Sequence, residues 1–203
     1  MRIIGRGITS RGVIHQGPVI ALAITASFFA VSFFAVSFLA VGCKTGNNNS
    51  GLNPGDRVPD VEGLSVDSSP VKLSAQNGKV ILLNFWATWC GPCVSELPAL
   101  EQVYEKLKGQ GFTVVGVAIN DSPEDVAAYR QKFGLTFPII IDPDGVSKKR
   151  FDLKGVPESF FLDGDHQIIL IPDPEGGEPV TRIVGPRDWS NAASIANIEK
   201  LLR

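Results

Sequence analysis

Asn84-Phe85-Trp86-Ala87-Thr88-Trp89-Cys90-Gly91-Pro92-Cys93 is the stretch on which the reading of this chain turns. The apolar run Val80-Ile81-Leu82-Leu83 leads into it. Val94, Leu97, Leu100, Val103, Tyr104 and Leu107, recurring at three and four, lead out. A continuous apolar run of that length reads as a buried strand, and the recurrence reads as a helix packing one face inward. The two cysteines therefore stand at a strand-to-helix junction, where Gly-Pro lets a disulfide close across one tight turn. The first amides of the helix beneath them are unpaired and the macrodipole is positive there, so a thiolate is favoured. Cys90 is the expected nucleophile, its pKa lowered by the helix terminus and the neighbouring thiol; Cys93, one turn into the helix, is the expected resolving thiol. Attack of Cys90 on a disulfide would give a mixed disulfide that Cys93 breaks. A purely structural bridge is the alternative, but one closing so short a loop would stabilise the fold little.

The 203 residues hold three cysteines, and the third, Cys43, stands alone after a long apolar segment. A structural zinc site takes four Cys or His ligands. The two histidines are His15 and His166, neither near the pair, so no metal is expected and the redox-active disulfide is the only prosthetic element. The net charge of −2 hides an asymmetry: residues 1–42 carry Arg2, Arg6 and Arg11 and no acid, leaving 16 basic against 21 acidic residues, or −5, in the rest. Nucleic acid is excluded as the main partner, since phosphate binding needs clustered Lys and Arg. The one basic cluster, Lys148-Lys149-Arg150, reads as a solvated helix end.

Residues 1–42 read as a leader. Pro18 to Gly42 carries no charge, with Phe28-Phe29, Phe33-Phe34 and Phe38-Leu39 recurring every five residues behind a basic head. That is a secretory signal pattern, although the apolar body approaches the roughly 20 residues a membrane span needs. Leu39-Ala40-Val41-Gly42-Cys43 before polar Lys44-Thr45-Gly46-Asn47-Asn48-Asn49 resembles the bacterial lipoprotein box, with Ala40 where that box prefers leucine. Lipidation at Cys43 and an uncleaved anchor are the two readings. Both place residues 54–203 on the extracytoplasmic face of a bacterial membrane, tethered by a flexible segment over 43–53.

Along the body, Leu52 to Gln76 suggests a hairpin at one edge of a sheet. Strands are expected at 79–86, 112–119 and 137–141. A helix with Pro98 inside it is expected to kink between the first two. Ser122-Pro123-Glu124-Asp125 gives an N-cap, a first-turn proline and two acids, opening a helix that stops at Gly134. A short helix over 146–151 precedes a hairpin of 159–162 and 167–171 around Asp163-Gly164-Asp165-His166. An edge strand at 180–184 and a helix over 191–202 end the chain. The order predicts an α/β fold: a central mixed sheet with helices on both faces.

Phe85 to Cys93 resembles the thioredoxin active site. The surroundings are similar to the TlpA/ResA/CcmG branch of membrane-tethered thioredoxin-like proteins: an N-terminal hairpin, Glu96 and Pro98 after the pair, and a helix–strand insertion after the second strand. Gly155-Val156-Pro157-Glu158 resembles that family's cis-proline loop, in the Gly-x-Pro-Glu form of the cytochrome c maturation members. The resemblance implies a thioredoxin-like fold and a cis Val156–Pro157 bond, with Trp89, Val156, Pro157 and Glu158 contacting substrate. Asn84 stands where thioredoxin has a buried Asp that helps move the proton at the resolving cysteine. Asn cannot titrate, and Glu96 resembles the branch's acid near the pair, which implies proton transfer or tuning of the thiols.

The function expected is an extracytoplasmic thiol-disulfide oxidoreductase, a dithiol reductant of protein disulfides. By resemblance its clients are apocytochrome c or copper-site assembly proteins, its electrons come from a membrane dithiol donor, and it works as a monomer. Two other classes are weighed. A peroxiredoxin-like thiol peroxidase would need a Pro-x-x-x-Thr-x-x-Cys site, which is absent around Cys90. A non-enzymatic metal-binding module would need a C-x-x-x-C spacing and a partner histidine, and the pair has neither.

Overall fold

The computed structural model describes residues 52–203 except 174 and 175, so Cys43, the leader and most of the tether lie outside the described residues. The run at 80–83 extends into β3 (Val80–Trp86), whose seven residues are all buried. Its alternate side chains serve two cores. Val80, Leu82 and Trp86 face one cluster, and Ile81, Leu83 and Phe85 face the other. A strand buried on both faces has no use for polar alternation, which is why its sequence is apolar but for Asn84.

Around β3 the sheet is mixed. β4 (Phe112–Ile119) lies parallel to it, and β5 (Ile139–Asp142) lies parallel to β4. On the other side β6 (Glu158–Asp163) runs antiparallel to β3, and β7 (Arg182–Val184) closes that edge. The expected hairpin is present as β1 (Glu62–Leu64) and β2 (Pro70–Lys72), added antiparallel outside β5. The spatial order is β2-β1-β5-β4-β3-β6-β7. The described residues thus form the expected thioredoxin-like mixed sheet, with the hairpin extension and the helix–strand insertion in place.

Helix α1 (Gly91–Leu107) links β3 to β4, and α2 (Pro123–Phe133) links β4 to β5. Both crossovers step the same way across the sheet. Right-handed crossovers of that kind put their helices on one face, and Leu97, Leu100, Val103 and Val126 join the same core cluster. Helix α4 (Ala192–Leu201) adds Ile198 to it. The opposite face is covered by α3 (Val146–Arg150), a 3-10 turn at 73–75 and the segment carrying Val58 and Val61. Ser122 caps α2 by accepting from the Asp125 N–H, and Gly134 ends it in the left-handed region. Pro98 lies inside α1 without ending it. Among the described residues no helix is long and apolar enough to cross a membrane.

One expected element differs. Residues 167–171 do not form a strand; the turn at 163–166 closes, but only single bridges follow, Arg57 with Gln167, Leu162 with Ile168 and Ile171 with Val180. The reason is competition for one edge. β7 occupies β6 from Glu158 to Phe160, leaving 161–162 for the returning chain. Ile168 satisfies its own amide and carbonyl against Asp56 and Gly55 instead.

Gly63 is the tightest joint of the hairpin extension: a Cβ there would run into the Ile141 carbonyl oxygen. Gly63→Ala must push β1 off β5, and overpacking of this kind costs about 1–3 kcal/mol. Urea denaturation should show that loss, and an unchanged midpoint would mean that β1 shifts freely.

Candidate active site

The site forms where β3 ends and β6 begins. Because these strands are antiparallel and Phe85 pairs with Glu158, the loop just before β6 lies beside the residues just after β3. Val156–Pro157 in that loop is cis, as the resemblance implied. Cys90 and Cys93 are joined in a disulfide, with Cα atoms 5.3 Å apart.

Cys90 is the N-cap of α1. Its backbone is extended, and its sulfur accepts the Cys93 N–H at 3.2 Å. A sulfur in that position receives an otherwise unpaired helix amide and the positive end of the macrodipole, both of which favour a thiolate. Cys90 keeps 8% of its surface exposed and Cys93 none, so an incoming partner meets Cys90 first. The Val156 carbonyl oxygen lies 3.5 Å from Cys90 Sγ. Val156 N–H has no hydrogen bond among the described residues. Trp89, 62% exposed, is the most exposed large apolar side chain described and stands at the rim of the pair. Pro157 is buried beneath the loop.

Glu96 follows Cys93 by three residues on the buried side of α1 and is itself buried. Its Oε1 accepts from Asn84 Nδ2 at 2.8 Å and its Oε2 from the Arg187 N–H at 3.0 Å. Burial pushes its pKa from 4.5 up to about 7; these two donors, the nearby Trp189 indole and the Arg187 charge pull the other way without cancelling it. The Trp189 Nε1–H faces the carboxylate without reaching hydrogen-bond geometry. Asn84 Nδ2 also donates to Ser159 Oγ at 3.0 Å, so one amide ties α1, β3 and β6 together.

Glu158 departs from expectation. It is fully buried, so it offers no surface to a substrate. Its Oε2 accepts the Lys154 N–H at 2.7 Å, and Arg182 Nη1 stands 2.9 Å from Oε1 as an ion pair without the alignment of a hydrogen bond. Burial raises its pKa, against the Lys154 and Gly155 amides and Arg182. The sequence marked Glu158 by its place in the loop, and that place carries no information about which way the side chain turns.

Three contributors were missed. Asp121, just past β4, accepts both the N–H and the hydroxyl of Thr88 and so holds the loop ahead of the cysteines. Its signal was available, since an acid beyond the carboxyl end of a buried parallel strand sits where sites gather. Arg182 and Arg187 come from the far end of the chain, and nothing local in the sequence points to them. Among the described residues, no group of three or more His, Cys, Asp or Glu is arranged to hold a metal.

Comparison with known proteins meets this geometry. The thiol-disulfide oxidoreductase ResA of Oceanobacillus iheyensis is 34% identical over 118 residues, covering 56% of this chain and 62% of that protein. ResA of Geobacillus kaustophilus is 32% identical over 114 residues, covering 56% and 66%. The match therefore spans less than two thirds of the length of either curated relative. Among solved structures, a protein of Chlorobium tepidum provisionally named thiol:disulfide interchange protein DsbE aligns with a TM-score of 0.63 and 31% identity, over 75% of this chain and 100% of that one. The AhpC/TSA family matches residues 54–171, more than half of the chain. On that match and its thioredoxin-like fold, the chain belongs to the AhpC/TSA family.

Proposed function

We propose that the protein is a thiol-disulfide oxidoreductase that reduces protein disulfides through Cys90 and Cys93. The observation that carries this is the placement of Cys90 as the sulfur N-cap of α1, in a disulfide with Cys93 and 3.5 Å from the Val156 carbonyl. In the reduced protein, the Cys90 thiolate attacks a client disulfide; one S–S bond forms, one breaks, and a client thiolate leaves. Cys93 then loses its proton and attacks Cys90 Sγ. The second client thiolate departs, and the pair closes as the disulfide. Two electrons pass from the pair to the client.

Glu96 is the group that takes the Cys93 proton. A carboxyl with a pKa of about 7 can accept and return a proton near neutral pH, whereas an ordinary glutamate is too weak a base. Val156 offers an unpaired N–H to an extended client segment, with Trp89 as an exposed apolar contact beside it. The reducing direction, the extracytoplasmic location and the membrane tether belong to the same proposal. They are supported by the leader, by Cys43 before a polar linker, and by the ResA relatives. Apocytochrome c and copper-site assembly proteins are the client classes that fit, with a membrane dithiol as electron donor and a monomer as the working form.

Replacing Cys93 by Ser removes the resolving thiol, so Cys90 should remain covalently trapped on its client. Non-reducing electrophoresis of cells carrying the variant should show a mixed disulfide absent from a Cys90→Ser control. No adduct would sink a turnover role. The same reading requires a reducing potential: a value as oxidising as the roughly −120 mV of DsbA would reverse the direction.

Glu96 makes a separate pH prediction. Its folded pKa is raised, so the folded protein holds a proton that the unfolded chain releases from about pH 4.5 upward. Stability contributed by this group therefore falls as pH rises from about 4.5 to about 7 and is level above that. The cost of the ionised form is of order 3 kcal/mol. Glu96→Gln should be the more stable protein at pH 8 and should lose the advantage at pH 4; the difference between variant and parent isolates this group from Glu158. The rate at which Cys93 resolves a mixed disulfide should lose its inflection near pH 7. Parallel stability–pH curves would count against burial as the source of the shift.

A further inference from the structure

Resting on the dithiol reading above, we propose that Arg182 and Glu158 are a positioning pair that fixes the Val156 edge and so sets the preference for extended peptide disulfides over small ones. The loop between α3 and β6 is held at both ends by these two side chains. At its start, Arg182 Nη1 donates to the Asp152 carbonyl at 2.9 Å and Nη2 to the Phe151 carbonyl at 3.2 Å. At its end, the Glu158 carboxylate accepts the Lys154 N–H at 2.7 Å, with the Gly155 N–H facing it short of hydrogen-bond geometry. The two clamps are one unit, because the guanidinium and the carboxylate are 2.9 Å apart.

The clamps stand on rigid ground. Glu158 and Arg182 belong to paired strands, with Glu158 opposite Val184 and Phe160 opposite Arg182. The guanidinium lies 5.1 Å from the Phe160 ring centroid, and Phe151 packs on both Phe85 and Phe160 in the core. Val156 packs its side chain against both core clusters, but no hydrogen bond among the described residues holds its N–H. It sits between the clamped segments with an unpaired N–H, and its carbonyl faces only Cys90 Sγ. A peptide that pairs with Val156 while its disulfide meets Cys90 needs both at fixed separation. A small disulfide needs only Cys90.

Removing the Arg182 charge leaves a buried carboxylate without its partner, which loosens the acceptor of the Lys154 amide. Neither residue touches the reacting sulfurs, so the effect should fall on docking and spare the thiol. The test uses the Cys93→Ser protein and a nitropyridyl disulfide, carried either on the single cysteine of an extended peptide or on cysteamine. In each case the Cys90 thiolate attacks the alkyl sulfur, the aryl S–S bond breaks, and the released aryl thiolate is read by absorbance.

The parent should react faster with the peptide than with the small reagent. In Arg182→Met that preference should fall by between about tenfold and about a hundredfold, the range expected for small misplacement of a docking group, with the small-reagent rate unchanged. Arg182→Lys keeps a charge beside Glu158 but cannot reach both carbonyls, and should retain part of the preference; it carries the test if Arg182→Met fails to fold. A full preference in a folded Arg182→Met, or in Arg182→Lys when that alone folds, overturns the proposal while leaving the dithiol reading intact. Equal loss of both rates also overturns it, since Cys90 itself would then be disturbed. No peptide preference in the parent would sink the Val156 docking reading and this proposal with it.

Discussion

The antiparallel pairing of β6 with β3 is the constraint on which the site depends. β3 points its carboxyl end at the helix that begins with Cys90, and an antiparallel neighbour brings its amino end to the same place. Had β6 been parallel, the loop preceding it would lie at the other end of the strands, away from the cysteines. The register does the rest. With Phe85 opposite Glu158, Val156 can reach Cys90 while Asn84 and Ser159 face each other one pair deeper. Two distant segments of sequence thus meet because of strand direction, before any side chain is considered.

The two buried glutamates show how environment separates identical groups. Both lose hydration, and both have raised pKa values for that reason. Glu158 has a guanidinium at 2.9 Å and the Lys154 backbone amide, which suit a carboxylate held in place. Glu96 has neutral donors at close range, the Arg187 amide and the Asn84 side chain, and its pKa reaches about 7. A carboxylate held in an ion pair and a carboxyl raised to about 7 therefore stand in one site, divided by whether a full positive charge stands within ion-pair distance of the oxygen.

Much of this was legible in the chain because the signals were local. The apolar run before Cys90, the three-and-four spacing after it, and Ser122-Pro123 each act within one element. The cis-proline loop was legible by resemblance. What escaped was decided between elements. The 167–171 segment has strand character, yet β7 takes the edge it would have used. Glu158 sits beside the cis-proline but turns inward, because Arg182, two dozen residues later, gives it a partner there. Asp121 was within reach of the rule about strand ends, while Arg182 and Arg187 could only be found in space.

Asn84 and Glu96 make sense as one arrangement. The Asn84 amide donates to Glu96 Oε1 and to Ser159 Oγ, a double donor's role that a carboxylate cannot fill. An aspartate at position 84 would set a second carboxylate within hydrogen-bond distance of Glu96. Two such acids cannot both ionise in a buried site; they would share a proton and titrate as a pair. With asparagine there, the proton on Glu96 answers to one group alone, and its pKa of about 7 is set chiefly by burial. Asparagine on β3 and glutamate on α1 therefore work as one arrangement, in which the titrating acid stands on the helix that carries the cysteines.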